Sequence, residues 1–98
     1  MPINAPRRQA ALAAIMAKFP EITEVDGIVR GAFYLVETNR SEGVDCVTGH
    51  PSPLEAIAYH VEQECAEDWR VVGLYDARGG CWLAGTFSHT VTIDVPAP

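Results

Sequence analysis

Ninety-eight residues, 48% hydrophobic and 20% charged, fit a single domain spanning 1–98 and exclude a disordered chain. No run nears the ~20 apolar residues that a bilayer span needs, so no membrane partner is expected. The net charge of −6 is uneven: residues 41–68 carry Glu42, Asp45, Glu55, Glu62, Glu64, Glu67 and Asp68 with no Lys or Arg, a field that repels phosphate backbones and argues against direct nucleic-acid binding.

Taken in chain order, the first element is a helix from Ala5 to Lys18. Asn4 serves as its cap, Pro6 sits harmlessly in the first turn, and Pro20 ends it. Leu12, Ile15, Met16 and Phe19 share one face. Arg7 and Arg8 precede a short apolar run, but Lys18 interrupts it and no small-x-small pattern follows, so it reads as a helix and not as a secretory leader. Asp26-Gly27 then marks a hairpin turn that pairs a short strand, Ile22–Val25, with the start of the next. Gly31–Thr38, rich in aromatic and β-branched residues, is a strand, and Val44–Thr48 is its returning partner.

Ser52–Asp68 is the clearest helix. Ser52 at the N-cap, Pro53 at the first helical position and Glu55 at the third form a capping box. Leu54, Ile57, Ala58, Val61 and Cys65 follow at helical spacing and predict one apolar stripe. Trp69–Asp76 is a strand with two apolar faces, which places it centrally in its sheet. Its alternation sets Trp69, Val71, Gly73 and Tyr75 on one face and Val72 and Leu74 on the other. A loop over Ala77–Gly80 leads to a returning strand, Cys81–Phe87, and Thr90–Val95 alternates as a last strand after a bulge near Ser88-His89. The order predicts an α+β fold: an antiparallel sheet of four to five strands with the N-terminal and central helices packed on one face.

Reactive residues are present but do not converge. Cys46, Cys65 and Cys81 form no CxxC pair, which argues against a disulfide framework and sets a cytoplasmic expectation. Cys46 and His50 have the spacing of half a zinc clasp. His60 and Cys65, five apart on a helix, face different ways and cannot complete it, so neither metal nor cofactor is expected. Ser88 and His89 point to opposite faces of a strand. Nothing orients a Cys46–His50 dyad, and Gly79-Gly80 precedes a strand where a phosphate cradle precedes a helix. No enzyme and no catalytic residue is predicted.

The acidic stretch is less ordinary. In a helix reaching Asp68, Glu64, Glu67 and Asp68 crowd the negative end of the dipole, each at a cost of ~0.3–1 kcal/mol. His60 and Glu64 read as an ordinary exposed helical pair. Like charge gathered against local preference suits docking on a cationic neighbour. The expectation is a non-enzymatic protein-binding module, an inhibitor or adaptor. It presents Glu62, Glu64, Glu67 and Asp68, with Tyr59 as an anchor, to a basic protein surface such as that of a nucleic-acid-binding protein or complex. In size, charge and class alone the chain resembles the small acidic inhibitors that phages make against bacterial defence, such as anti-CRISPR proteins, which implies occupation of a basic nucleic-acid channel. The alternative is a homo-oligomer, a homo-dimer in its simplest form, with a ligand or partner at its sheet-face interface. A Cys/His-dependent enzyme around Cys46 and His50 ranks below both.

Overall fold

The computed structural model describes residues 5–25, 31–87 and 91–96. In chain order they form α1 (Ala5–Lys18), β1 (Ile22–Val25), β2 (Phe33–Asn39), β3 (Val44–His50), α2 (Pro53–Glu62), a 3-10 turn (Ala66–Asp68), β4 (Trp69–Asp76), β5 (Cys81–Trp82), β6 (Gly85–Phe87) and β7 (Val91–Ile93). The fold is α+β, as the sequence predicts. The main sheet has the order β1-β3-β2-β4-β5, and β6 and β7 form a separate two-stranded ribbon.

Strand β2 explains the architecture. Its residues Phe33 to Glu37 are all buried, so both of its faces need cover. Phe33 and Leu35 pack with Ala56 and Ile57 of α2, Leu74 of β4 and Ile93 of β7. Tyr34 and Val36 pack instead with Ala11 and Ile15 of α1, Val47 of β3 and Tyr75 of β4. Burial of each large aliphatic side chain is worth ~1.5–3 kcal/mol, and alternation along β2 divides that gain between two layers. The helices therefore lie on opposite faces, not together on one. Two apolar rows on a fully buried strand cannot both be served from one side.

The β2–β3 hairpin pairs in unbroken antiparallel register from Phe33↔His50 to Asn39↔Val44. Asn39 Oδ1 fixes its turn, accepting from the backbone N–H groups of Ser41 at 2.9 Å and Glu42 at 3.0 Å. On its other side β2 pairs with β4. Both edges of β2 are thus filled, and Ile22–Val25 pairs in parallel with the outer edge of β3. The Asp26-Gly27 turn, the Asn4 cap and the bulge expected near Ser88-His89 lie outside the described residues.

Strand β4 departs from simple alternation. Val36 faces Gly73 but Glu37 faces Val71, so Val72 is an extra residue in a bulge. Val71 consequently joins the α2-side core and Val72 the α1-side core, the reverse of the expected faces. The central position belongs to β2, and β4 lies one strand further out. The expected strand Cys81–Phe87 is split as well. Gly85 has φ +144°, a conformation open to glycine, and there the chain leaves the sheet for the ribbon. Trp82 stays behind on the α1 side, with its ring centroid 5.0 Å from Tyr75 and 5.6 Å from Phe19.

Candidate functional site

Helix α2 begins as its cap requires. Ser52 Oγ accepts from the Glu55 backbone N–H at 3.1 Å, and the serine hydroxyl donates to Glu55 Oε2 at 3.4 Å. The helix does not continue to Asp68. It ends at Glu62, Gln63 turns extended at φ −70° and ψ 153°, and Cys65 takes a left-handed φ of 53° before the 3-10 turn.

The cause is a carboxylate in the sheet. Glu37, only 2% exposed, lies beneath the end of α2. His60 Nδ1 donates to its Oε2 at 2.7 Å, and Gln63 Nε2 donates to the same oxygen at 2.7 Å. A buried carboxylate without such partners is costly; His60 supplies one from the last turn of α2, and Gln63, the first residue past it, supplies the other. Helix period alone would have carried the stripe through Cys65. Instead Cys65 is exposed, and so are Leu54 at 63% and Val61 at 51%, while Ala56 and Ile57 form the buried contact. His60 turns inward to Glu37 and does not pair with Glu64 on the surface.

A second polar group continues this side of the sheet. His50 Nε2 lies 2.7 Å from Thr48 Oγ1, and the Tyr59 ring tilts against the His50 ring with centroids 5.0 Å apart. Cys46 and His50 both belong to β3. Four residues of strand separate them by roughly 13 Å at ~3.3 Å per residue, too far for a dyad or a shared metal. Among the described residues no group of three or more His, Cys, Asp or Glu side chains is placed to hold a metal ion.

Of the residues singled out for partner binding, Glu62, Glu64, Glu67 and Asp68 follow one another from the end of α2 to the start of β4, whereas the Tyr59 ring lies against His50, at the opposite end of β3 from the β2–β3 turn. Arg40 N–H donates to Asp68 O at 3.0 Å, which ties the 3-10 turn to the β2–β3 turn that carries Glu42. Glu42, Glu62, Glu64 and Glu67 are exposed, Asp68 is half-buried, and Tyr59 is 39% exposed. None of these carboxylates forms an ion pair among the described residues. Glu64, Glu67 and Asp68 lie beyond the end of α2, so they do not crowd its last turn; only Glu62 does. Exposure and lack of compensation, not dipole strain, distinguish this end.

Sequence reasoning missed Glu37. It sits within an apolar strand, and the one available signal was that a carboxylate in a row of buried residues needs donors from the opposing helix. Compared with protein-family models, with curated proteins and with solved structures, the chain matches none.

Proposed function

We propose that the protein is a non-enzymatic binding module, an inhibitor or adaptor, whose acidic end docks on a basic protein surface. The observation that carries this reading is the set Glu62, Glu64, Glu67 and Asp68, gathered beside Glu42 and uncompensated by any ion pair among the described residues. Their field steers a cationic partner during encounter, and Tyr59 supplies an amphipathic ring at the rim. The Glu37–His60–Gln63 contact holds the helix end in place, so the carboxylates are presented with little ordering left to do on binding. Occupation of a basic nucleic-acid channel is the inhibitory mode that this charge suits. A self-associating domain joined through a sheet face is the weaker reading, because each face of the sheet carries a helix.

The test is capture from the native host on immobilised protein at two salt concentrations. The reading expects a basic protein retained at 50 mM salt and released by several hundred millimolar, as screening over a Debye length of ~10 Å at 0.1 M dictates. Retention that ignores salt, or of an acidic partner, would contradict it.

A further inference from the structure

Part of the apolar stripe along the central helix turns away from the protein's own core. Leu54 and Val61 are each more than half exposed, and Ala58 between them is small and half-buried. These three stand at i, i+4 and i+7. At ~100° per residue they fall within about 60° of arc and form one seam roughly 10 Å long. Strand β6 packs against the same helix and still leaves Leu54 and Val61 exposed. Single exposed apolar residues need no explanation, but a row at the spacing of a heptad seam does.

The two borders of the seam differ. On one side stands Ile57, packed in the core. On the other stand Glu55 and Glu62, one heptad apart, each directly following a large seam residue. Both are exposed, and neither forms an ion pair among the described residues. Glu55 accepts from the Ser52 hydroxyl, which holds the carboxylate without cancelling its charge. Arg78, the cation over the Phe33 ring, pairs with Asp76. In paired helices such flanking positions choose the partner by charge.

That charge selects the occupant. A second copy laid antiparallel on the seam would set Glu55 and Glu62 against their own equivalents. An anionic bilayer surface meets the same repulsion. A helix with apolar residues at heptad spacing and Lys or Arg beside them meets neither obstacle. Its apolar row covers Leu54, Ala58 and Val61, and its cations reach Glu55 and Glu62.

We propose that the α2 seam binds a basic amphipathic helix of the partner protein. The inference rests on the acidic docking reading and adds the conformation and apolar face of the segment recognised. Glu64, Glu67 and Asp68, past the end of α2, steer the approach, and Leu54 with Val61 hold what arrives.

The experiment uses a synthetic peptide of three heptads with Leu at the apolar positions, Lys at the flanking ones and Ala or Gln elsewhere. Its controls are a scrambled peptide of the same composition and a version with Glu in place of Lys. Binding to the full chain is followed by anisotropy and mapped by backbone amide shifts. The Lys heptad peptide is expected to bind roughly tenfold or more tighter than either control and to shift the amides of residues 54–62. Leu54→Gln with Val61→Gln removes that advantage, and Val61→Gln alone gives a smaller loss in the same direction; circular dichroism checks that both variants fold. Equal binding of the scrambled peptide, shifts confined elsewhere, or binding untouched by the double variant would overturn the proposal. So would a dimer in sedimentation that the same double variant dissolves, since a second copy would then be the occupant. Partner retention lost on Glu64→Lys with Glu67→Lys but kept on Leu54→Gln with Val61→Gln would remove the seam and leave the acidic docking surface standing. A heptad peptide that binds as expected while no basic protein is retained supports the seam and contradicts the docking reading alone.

Discussion

The two sides of the sheet are built on different terms. Against α1 the layer is apolar and aromatic, with Ile15, Tyr34, Val36, Val47, Tyr75 and Trp82 in one continuous cluster. Against α2 the layer is half apolar and half polar: Leu35, Ile57 and Leu74 at one end, Glu37 with His60 and Gln63 at the other. The first side stabilises by burial alone. The second side also fixes where a helix stops, because its polar groups accept only particular partners. The acidic residues therefore stand at the end of α2 next to the polar contact that shapes it.

The largest effect that sharpens this contrast is expected on the α1 side. Ile15 is fully buried, and Ile15→Ala removes three carbons from a packed layer. A loss of ~2–5 kcal/mol is expected in chemical denaturation. On the α2 side, His60→Ala leaves the Glu37 carboxylate with Gln63 alone and is expected to cost ~1.5–3 kcal/mol. The double replacement Glu37→Met with His60→Leu should recover most of that, because it removes the buried charge together with its partner. If the double variant were as unstable as His60→Ala, the polar end of this layer would be a matter of shape and not of charge. Ser52→Ala removes the cap of α2 and should lower stability by ~1 kcal/mol.

The smallest effect at neutral pH belongs to Tyr34. Its hydroxyl is buried without a hydrogen-bond partner among the described residues. Burial pushes its phenol above the ordinary value of 10.0, with the nearby Arg8 charge opposing in part. The unfolded tyrosine ionises first. Its contribution is therefore present below about pH 10 and is lost as pH rises from there through the folded value. Tyr34→Phe should be neutral or slightly stabilising at pH 7 and should flatten the alkaline loss, measured as thermal midpoint against pH. An alkaline loss unchanged by Tyr34→Phe would place its origin elsewhere.

This contrast also explains what the sequence made legible. Helix α1 is read from Ala5 to Lys18 because Pro6 and Pro20 bracket it, and the β2–β3 hairpin because apolar alternation and a polar turn agree. The Ser52 cap is local chemistry and is visible as such. Long-range choices leave no local mark. Parallel pairing of β1 with β3 follows from β2 having no edge left. The bulge at Val72 shows only when two strands are laid together. The stop after Glu62 is invisible to helical periodicity, since the apolar spacing runs on through Val61 to Cys65 while the real constraint is Glu37, on another element. Glu62, Glu64, Glu67 and Asp68 were legible as a run of acids, but of the residues proposed for partner binding the helix expected to carry them all carries only Tyr59 and Glu62.

One measurement weighs the exposed carboxylates against the buried one. The wild-type protein, Glu64→Lys with Glu67→Lys, and His60→Ala are compared for thermal midpoint and for retention of the captured basic partner at 50 mM salt. The charge reversal should reduce retention at least tenfold while stability stays within ~0.5 kcal/mol of wild type, as exposed unpaired residues allow. His60→Ala should lower the midpoint and retain the partner in proportion to its folded fraction. Undiminished retention by the charge-reversed protein at low salt would contradict the account.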